Sequence, residues 1–544
     1  MKQNHAKQIP LNSIQKQSLF GCFHFTNKTI AMLRVFPVLL LAFAVSHLSA
    51  QITTFKKRHG TPGDDEARFV EVLADNSFIV AGSSTEGGLG GVDAILVKFN
   101  ADGVVEWSKS FGGAGDEFFM HILTCSDGNY IAVGETNSFG AGNVDIYVVK
   151  FDAGGTVIWE RTCGGSGQEW SCGGACEVAD GYIITGGTQS FGPGFWDAFV
   201  EKLDLSGSSV WTKSWGTAGA DVSGEPLPAS NGDIWVSGGY FAGNQEGFLF
   251  RLNSSGTYQN GLRLGGSGHE GSEFIALGGA GISVSGATWS YSNNTQYQPW
   301  IISFNTSGNF VWGKRYVFPA GNHNMNAENC PDGGYIFTPL NINTDEAAAY
   351  LARTDPNGNI VWAKSHPFSG RMYHAKPCPD GGYVAVGFSA GNGRDMFILK
   401  TDSEGNVAGC IPTYVAVNAL VINPGVPSVS PSTANGPIAG VPAGQDESVG
   451  LTETIICNSV STESVKAPFI LALVPNPTRG TFRIWGSEQI ELDLQIFDST
   501  GRLCFSSTIQ TNQNIVPGAL PAGVYLVYVT DNGGRIQHFR MVRE

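Results

Sequence analysis

A tryptophan that returns about every fifty residues restricts this chain more than any other feature. The column runs Phe55, Trp107, Trp159, Trp211, Asn260, Trp312, Trp362 and Gly409, with successive gaps of 52, 52, 52, 49, 52, 50 and 47 residues. So fixed a spacing describes one unit repeated seven times rather than several unrelated domains. A well-kept copy is residues 145–165, DIYVVKFDAGGTVIWERTCGG, flanked by DAILVKFNADGVVEWSKSFGG at 93–113 and DAFVEKLDLSGSSVWTKSWG at 197–216. Each reads as strand, turn, strand and glycine corner. Ile146, Val148 and Phe151, interleaved with Tyr147 and Val149, describe a strand buried on most of both faces. The turn is Asp152-Ala153-Gly154-Gly155, where glycine takes positive φ without steric cost.

Each unit carries four strand signals: a variable run, a strand after a turn such as Cys125-Ser126-Asp127-Gly128, then the two strands above. Four antiparallel strands repeated seven times predict an all-β chain, a seven-bladed β-propeller over residues 51–411. Residues 52–58 are a lone tryptophan-type strand with no unit before it. They are expected to be the outer strand of the last blade, closing the ring, with residues 407–410 competing for that slot. Glycine is 73 of 544 residues and charged residues are 15 %, as many short strands and tight turns require. The net charge of −15, from 47 acids and 32 bases, argues against nucleic acid or an anionic membrane surface as the main partner.

The units resemble the SBBP-type β-propeller repeats of secreted bacterial proteins. The residues that carry the likeness are Asp197-Ala198-Phe199-Val200-Glu201-Lys202-Leu203, Gly265-Gly266-Ser267-Gly268, and the Asp-Gly-Gly-Tyr turns at 332–335 and 380–383. The resemblance implies the fold and says little about activity, because the fold hosts many. Units four and six are worn: Asn260 replaces the tryptophan, and Thr338-Pro339 the Gly-Gly exit.

The flanks differ from the repeat. Residues 1–50 read as a polar leader and a secretory signal peptide: Met32-Leu33-Arg34, an apolar run at 35–45, and a cut after Ala50. Met32 is a candidate start, and Leu19-Phe20-Gly21-Cys22 has the look of a lipoprotein box without the apolar run before it. Eleven apolar residues are too few to span a bilayer, so no transmembrane segment is expected in the mature chain. Residues 412–469 are rich in Pro, Ser, Thr and Val and read as an extended linker. Cys410 and Cys457 bracket it, and a disulfide between them would staple its ends. A local disulfide within Cys163, Cys172 and Cys176 is a second candidate in a chain of ten cysteines bound for an oxidising compartment.

Residues 470–544 contain Val474-Pro475-Asn476-Pro477, the turn Asp498-Ser499-Thr500-Gly501-Arg502, the strand Leu520-Pro521-Ala522-Gly523-Val524-Tyr525, and a basic end at Arg540 and Arg543. In that order they resemble the C-terminal sorting domain of the type IX secretion system of Bacteroidetes. The resemblance implies a small β-sandwich, the secretion machinery as partner, passage across the outer membrane, removal of this domain, and release or surface attachment.

Catalytic signatures are sparse. Gly387-Phe388-Ser389-Ala390-Gly391 matches a nucleophile elbow but leaves a propeller strand for a loop, where that motif does not work. Residues 355–359 begin like a calcium loop and lack its glycine and its closing acid. The stronger signal is positional. Ten residues after the tryptophan column stand Asp65, Glu117, Glu169, Asp221 and Glu270, followed in units six and seven by Asn322 and Met372. Fourteen residues before it stand Asp93, Asp145, Asp197 and Glu246, followed by Gln298, Ala348 and Asp395. Strand parity puts both columns on one face of the disc, the first around the channel mouth. Two readings follow: carboxylates that cap tight corners, or an acidic face for a polar ligand or a cation. No cofactor is expected; Ca2+ is the cation such a face would suit.

A second candidate surface is aromatic. The loop at 287–299 carries Trp289, Tyr291 and Tyr297, followed by Trp300, and Phe195 and Trp196 occupy the matching loop of unit three. Flat rings with polar neighbours suit sugar stacking. These features describe a secreted or surface binding module that contacts a glycan or protein ligand through its loop face. The alternative is an extracellular carbohydrate-active hydrolase or lyase using two carboxylates of that face about 5–10 Å apart.

Overall fold

The computed structural model describes residues 52–544, except 89, 172, 243, 279–280, 292–296, 319–322, 341–348, 392, 411, 423–431, 436–444, 448–450, 459–470, 475–480, 487–490, 499–501, 517–519, 532–535 and 544. The leader, the signal peptide and the box at Cys22 lie outside the described residues. Among those described, the repeat region forms seven sheets, each built on four antiparallel strands. Sheet one is Asp65–Val72, Phe78–Ser84, Asp93–Phe99 and Val105–Gly112, and sheet two is Glu117–Thr124, Tyr130–Thr136, Asp145–Phe151 and Val157–Cys163. Sheet three opens with a broken inner strand, Glu169–Trp170 and Ala175–Val178, followed by Gly181–Thr188, Asp197–Asp204 and Ser209–Gly216. Sheet four is Asp221–Pro228, Ile234–Ala242, Asn244–Leu252 and Tyr258–Leu264; sheet five is Glu270–Gly278, Gly281–Thr288, Gln298–Phe304 and Phe310–Val317. Sheet six is His323–Asn329, Tyr335–Leu340, Ala349–Thr354 and Ile360–His366. Sheet seven takes Gly370–Pro377, Tyr383–Ala390 and Arg394–Thr401 from the end of the repeat and Phe55–Gly60 from its beginning.

Phe55 lies opposite Lys400 and His59 opposite Met396, so the closing slot belongs to the N-terminal strand. Residues 407–410 instead form a short turn bridged between Val407 and Cys410. Apolar alternation on both faces of each sheet buries one core per seam. Val70, Val80 and Val97 of sheet one, for example, pack on Val384, Val386 and Ile398 of sheet seven. Successive seams continue around the disc until sheet six packs on sheet seven. This closed stack of small antiparallel sheets is a β-propeller.

The tryptophan column works as a staple between units. The Trp107 indole N–H donates to Ala153 O at 3.1 Å in the turn of the next sheet. Its ring lies where a side chain on Gly155 would stand, at 3.2 Å from the Cβ position, and Gly155 has φ 78°. The same ring-on-glycine contact recurs from Trp159 to Gly207, Trp211 to Gly256, Trp312 to Gly358 and Trp362 to Gly405, and Phe55 makes it with Gly103. Unit four, which has Asn260 in the column, fills the place differently: Trp235 of its second strand sits 2.7 Å from the Cβ position of Gly308. Trp235 is 2 % exposed. Trp235→Ala is expected to cost about 3–5 kcal/mol, the range for a buried large-to-small change, whereas Asn260→Ala should be nearly silent. Urea unfolding of the two variants checks this.

Residues 412–469 are not a free linker over their described part. Thr413–Tyr414 pairs with the outer strand of sheet six, Asn418–Val421 with sheet five, Ser432–Asn435 with sheet three, Gln445–Glu447 with sheet one and Thr452–Asn458 with the closing strand of sheet seven, all antiparallel. Cys410 and Cys457 form a disulfide. Cys163 and Cys176 are free and buried in different seams, so they cannot join each other; Cys172 lies outside the described residues.

The C-terminal part has its own core, drawn from residues 482–541 and including Ile484, Leu494, Ile496, Val527 and Met541. A four-stranded antiparallel sheet, ordered Leu503–Gln510, Glu491–Phe497, Gly523–Asp531, Ile536–Arg543, shares that core with the pair Leu471–Val474 and Arg483–Gly486.

Candidate functional site

The acidic columns resolve into buried corner caps. Asp65, Glu117, Glu169, Asp221 and Glu270 each open an inner strand, and none is more than 2 % exposed. The backbone N–H four residues earlier donates to each: Thr61 to Asp65 at 2.6 Å, Gly113 to Glu117 at 2.9 Å, Gly165 to Glu169 at 3.0 Å, Thr217 to Asp221 at 2.7 Å and Gly266 to Glu270 at 3.0 Å. Second donors complete them; Thr136, Thr188 and Thr288 hydroxyls reach Glu117, Glu169 and Glu270 at 2.7, 2.6 and 3.1 Å. These five residues therefore do not form an exposed acidic face. Sheet seven opens at Gly370, which faces Ser389 as Asp65 faces Ser84, so Met372 belongs to the core rather than to the column. Asn322 lies outside the described residues.

The two columns do share one side of the disc, close enough to meet. A side chain on Gly164 would strike both Asp145 Oδ1 and Glu169 Oε2, and one on Gly216 both Asp197 Oδ1 and Asp221 Oδ2. The missing side chain at the exit glycine leaves room for a carboxyl pair across each of these seams. Burial, and then the Glu169 charge, push Asp145 up to about 6; burial, and then Asp221, do the same to Asp197. Such pairs hold a proton that the unfolded chain releases near pH 4. Their stabilisation is complete below pH 4 and is lost as pH rises through 6. Stability measured relative to Asp145→Asn should therefore fall between pH 4 and pH 7 by about 1 kcal/mol after discounting for solvent screening; the comparison with the variant cancels the buried histidines, which titrate with the opposite sign. Among the described residues no group of three or more His, Cys, Asp or Glu side chains could hold a metal ion.

A second cluster lies on the axis. His121 of sheet two stands 3.8 Å from Glu225 of sheet four, and only near the axis can sheets that are not neighbours meet so closely. Phe69 of sheet one stacks on His374 of sheet seven at 3.8 Å and tilts against His121 at 4.5 Å. The Val70 N–H donates to His374 Nδ1 at 3.3 Å, which leaves the neutral ring's proton on Nε2, 3.1 Å from Glu328 Oε1. Lys376 bridges Glu71 and Glu328. Burial opposes the charge on Glu328, but Lys376 and His374 hold its carboxyl down to about 2. Burial first, then Lys376 and His374, push His121 down to about 3. This is a cross-brace of neutral imidazoles and a charged lysine held between carboxylates; burial opposes that charge, but Glu328 and Glu71 raise its pKa.

The aromatic surface divides differently from the expectation. Trp300 is fully buried between sheets four and five and donates to Gly271 O at 3.0 Å, so it is core and cannot touch a ligand. Trp289 stacks on His269 at 5.3 Å and lies 5.4 Å from Tyr297, and the Tyr291 hydroxyl donates to Gly265 O at 3.1 Å while its ring packs on the core between sheets four and five; all are half-buried. The open group is on sheet three. Phe195 is 71 % exposed and Trp170 48 %. Trp196 lies between them, with ring centroids 6.4 Å from Phe195 and 6.1 Å from Trp170. Backbone bonds fix the loop under them: Phe195 N–H to Gly219 O at 3.0 Å and Asp221 N–H to Trp196 O at 2.8 Å. After Trp170 the inner strand leaves its sheet, with Ser171 N–H donating to Glu135 Oε1 at 3.0 Å, and rejoins at Ala175. That detour sets Trp170 at the end of a two-residue strand with its ring open to solvent. Trp170 follows Glu169 directly, where neighbouring units have Glu66, Phe118 and Val222; the segment is the same length as its counterparts, Glu169 pairing with Thr188 as Glu117 does with Thr136, so only the residue type marked the position.

Residues 472–542 match the family model of the secretion system C-terminal sorting domain, and residues 125–157 match a β-propeller domain of unknown function. No curated protein matches the chain. Among solved structures, the periplasmic gluconolactonase of Pseudomonas aeruginosa is similar at 11 % identity and TM-score 0.38, covering 62 % of this chain and 98 % of its own. A protein of unknown function from Dyadobacter fermentans aligns at 12 % identity and TM-score 0.37, covering 63 % and 96 %. The endo-1,5-alpha-L-arabinanase of Thermotoga petrophila aligns at 11 % and TM-score 0.23, covering 61 % and 97 %. The chain thus joins a β-propeller to a type IX sorting domain, and that domain marks a protein that is secreted or attached at the outer-membrane surface. Among the described residues no helix is long and apolar enough to cross a membrane.

Proposed function

We propose that this type IX-exported β-propeller is a binding module that holds a glycan on the aromatic platform of Trp170, Phe195 and Trp196. The observation that carries this reading is the exposure of two large rings, Trp170 on the inner strand and Phe195 on a loop whose backbone is pinned, flanking a third. Exposed rings of this size are costly to keep in water and are useful where a flat apolar sugar face can cover them. Pinned loops also lower the ordering cost of binding. The column carboxylates are buried in corner caps, and those on the axis are engaged by lysine or histidine, so the reading assigns them to the scaffold rather than to hydrolysis. A screen of the full chain on a glycan array, followed by a reducing-end assay on each hit, tests it. Retention of an intact glycan is the expected result. Release of shorter products would favour a hydrolase or lyase, and no retained glycan would move the ligand class to protein.

A further inference from the structure

The segment after the ring follows a path that no simple connection needs. Its strands meet sheets six, five, three, one and seven in that order, one circuit of the disc against the direction in which the chain built it. Between strands it drops apolar side chains onto the seams. Ile422 is 4 % exposed in the core between sheets four and five, Val415 and Val417 pack on the core between five and six, and Leu451 on that between seven and one. The circuit ends where it began: Cys457 bonds to Cys410, and both pack on the seam between sheets six and seven.

We propose that residues 410–457 are a covalent hoop around the propeller, and that formation of the Cys410–Cys457 bond locks the ring shut. The sheet it guards, sheet seven, is the one most exposed to opening, because its fourth strand comes from the far end of the chain. Phe55–Gly60 is held by Arg394–Thr401 on one edge and by Thr452–Asn458 on the other. The closing strand therefore cannot leave while the hoop is fastened. Fastening removes two protons and two electrons from the thiols, which a disulfide oxidant such as oxidised glutathione accepts, and a dithiol reverses it. The hoop also covers outer strand edges that would otherwise pair with other chains.

The test compares three forms of the full chain: oxidised, reduced without denaturant, and oxidised but cut by a site-specific protease at a site engineered within residues 436–444. Unfolding in guanidinium is followed by tryptophan fluorescence. Closing a loop of this length changes the unfolding constant by roughly 10^2–10^3-fold, so reduction should raise it by about that factor. Cutting should raise it comparably although the disulfide is intact, because the hoop is then open. A change under tenfold on reduction overturns the lock. A large change on reduction with less than tenfold on cutting overturns the hoop and makes the pair a local cross-link. Cutting after folding keeps the comparison independent of any failure of a cysteine variant to fold.

Discussion

Removal of residues 52–60 leaves a chain that does not melt cooperatively. Phe55 is 1 % exposed and shares a core with Phe78 and Phe99 of sheet one and Met396 and Ile398 of sheet seven. Its ring also lies over Gly103 in the turn of sheet one. Loss of that side chain alone should cost about 3–5 kcal/mol. The whole strand carries in addition five residue pairings to Arg394–Thr401 and the pairing to Thr452–Asn458. Together these approach the 5–15 kcal/mol typical of an entire domain's stability. Size exclusion and thermal melting check the result: the truncated chain should elute as aggregate without a transition. A melt within a few degrees of the full chain would mean that another segment, such as residues 407–410, can take the closing slot.

Deletion of residues 472–542 should have the opposite profile, with no effect on the ring and a complete effect on delivery. The C-terminal core draws only on residues 482–541, and the seven seam cores use none of them. The truncated protein should therefore melt as the full chain does. It should accumulate in the periplasm, with the amount at the surface and in the medium falling to background on immunoblots of fractionated cells. Normal delivery of the truncated chain would separate export from the sorting domain. The hoop closes at Cys457, so a cut beyond Asn458 frees the sorting domain without unfastening the ring.

The parts of this molecule that repeat were legible, and the parts that depend on three-dimensional closure were not. The period of the tryptophan column follows from a contact made once per unit, ring on turn glycine, and so it survives in the sequence. Asn260 looked like wear because the contact in unit four comes from Trp235, a residue on another strand that reaches the same space. The carboxylate columns were visible for the same reason as the tryptophans, and their burial was not, since a corner cap and an exposed carboxylate occupy the same register. His121, Glu225, Glu328 and His374 meet only because inner strands of non-neighbouring units converge on the axis, and no periodicity encodes that. The strands described between Thr413 and Asn458 carry no period because they add to the ring largely through backbone hydrogen bonds, which leave little trace in side-chain pattern. Glu201 was readable but passed over: it stands where neighbouring units have Val97 and Val149. It is fully buried, near the Ser209 and Thr212 hydroxyls and the Cys163 thiol, and burial pushes its carboxyl up to about 7.

The claim at the centre of this account is that the ligand rests on sheet three. Its most direct test is a titration of the best glycan from the array against the full chain and against Trp170→Ala, Trp196→Ala and Trp289→Ala, with binding read by calorimetry. An aromatic contact is worth about 0.5–1.5 kcal/mol beyond the area it covers, so loss of either platform tryptophan should weaken binding roughly tenfold or more. Trp289→Ala should leave the affinity within twofold. Unchanged affinity in both platform variants, or a loss confined to Trp289→Ala, would contradict the assignment.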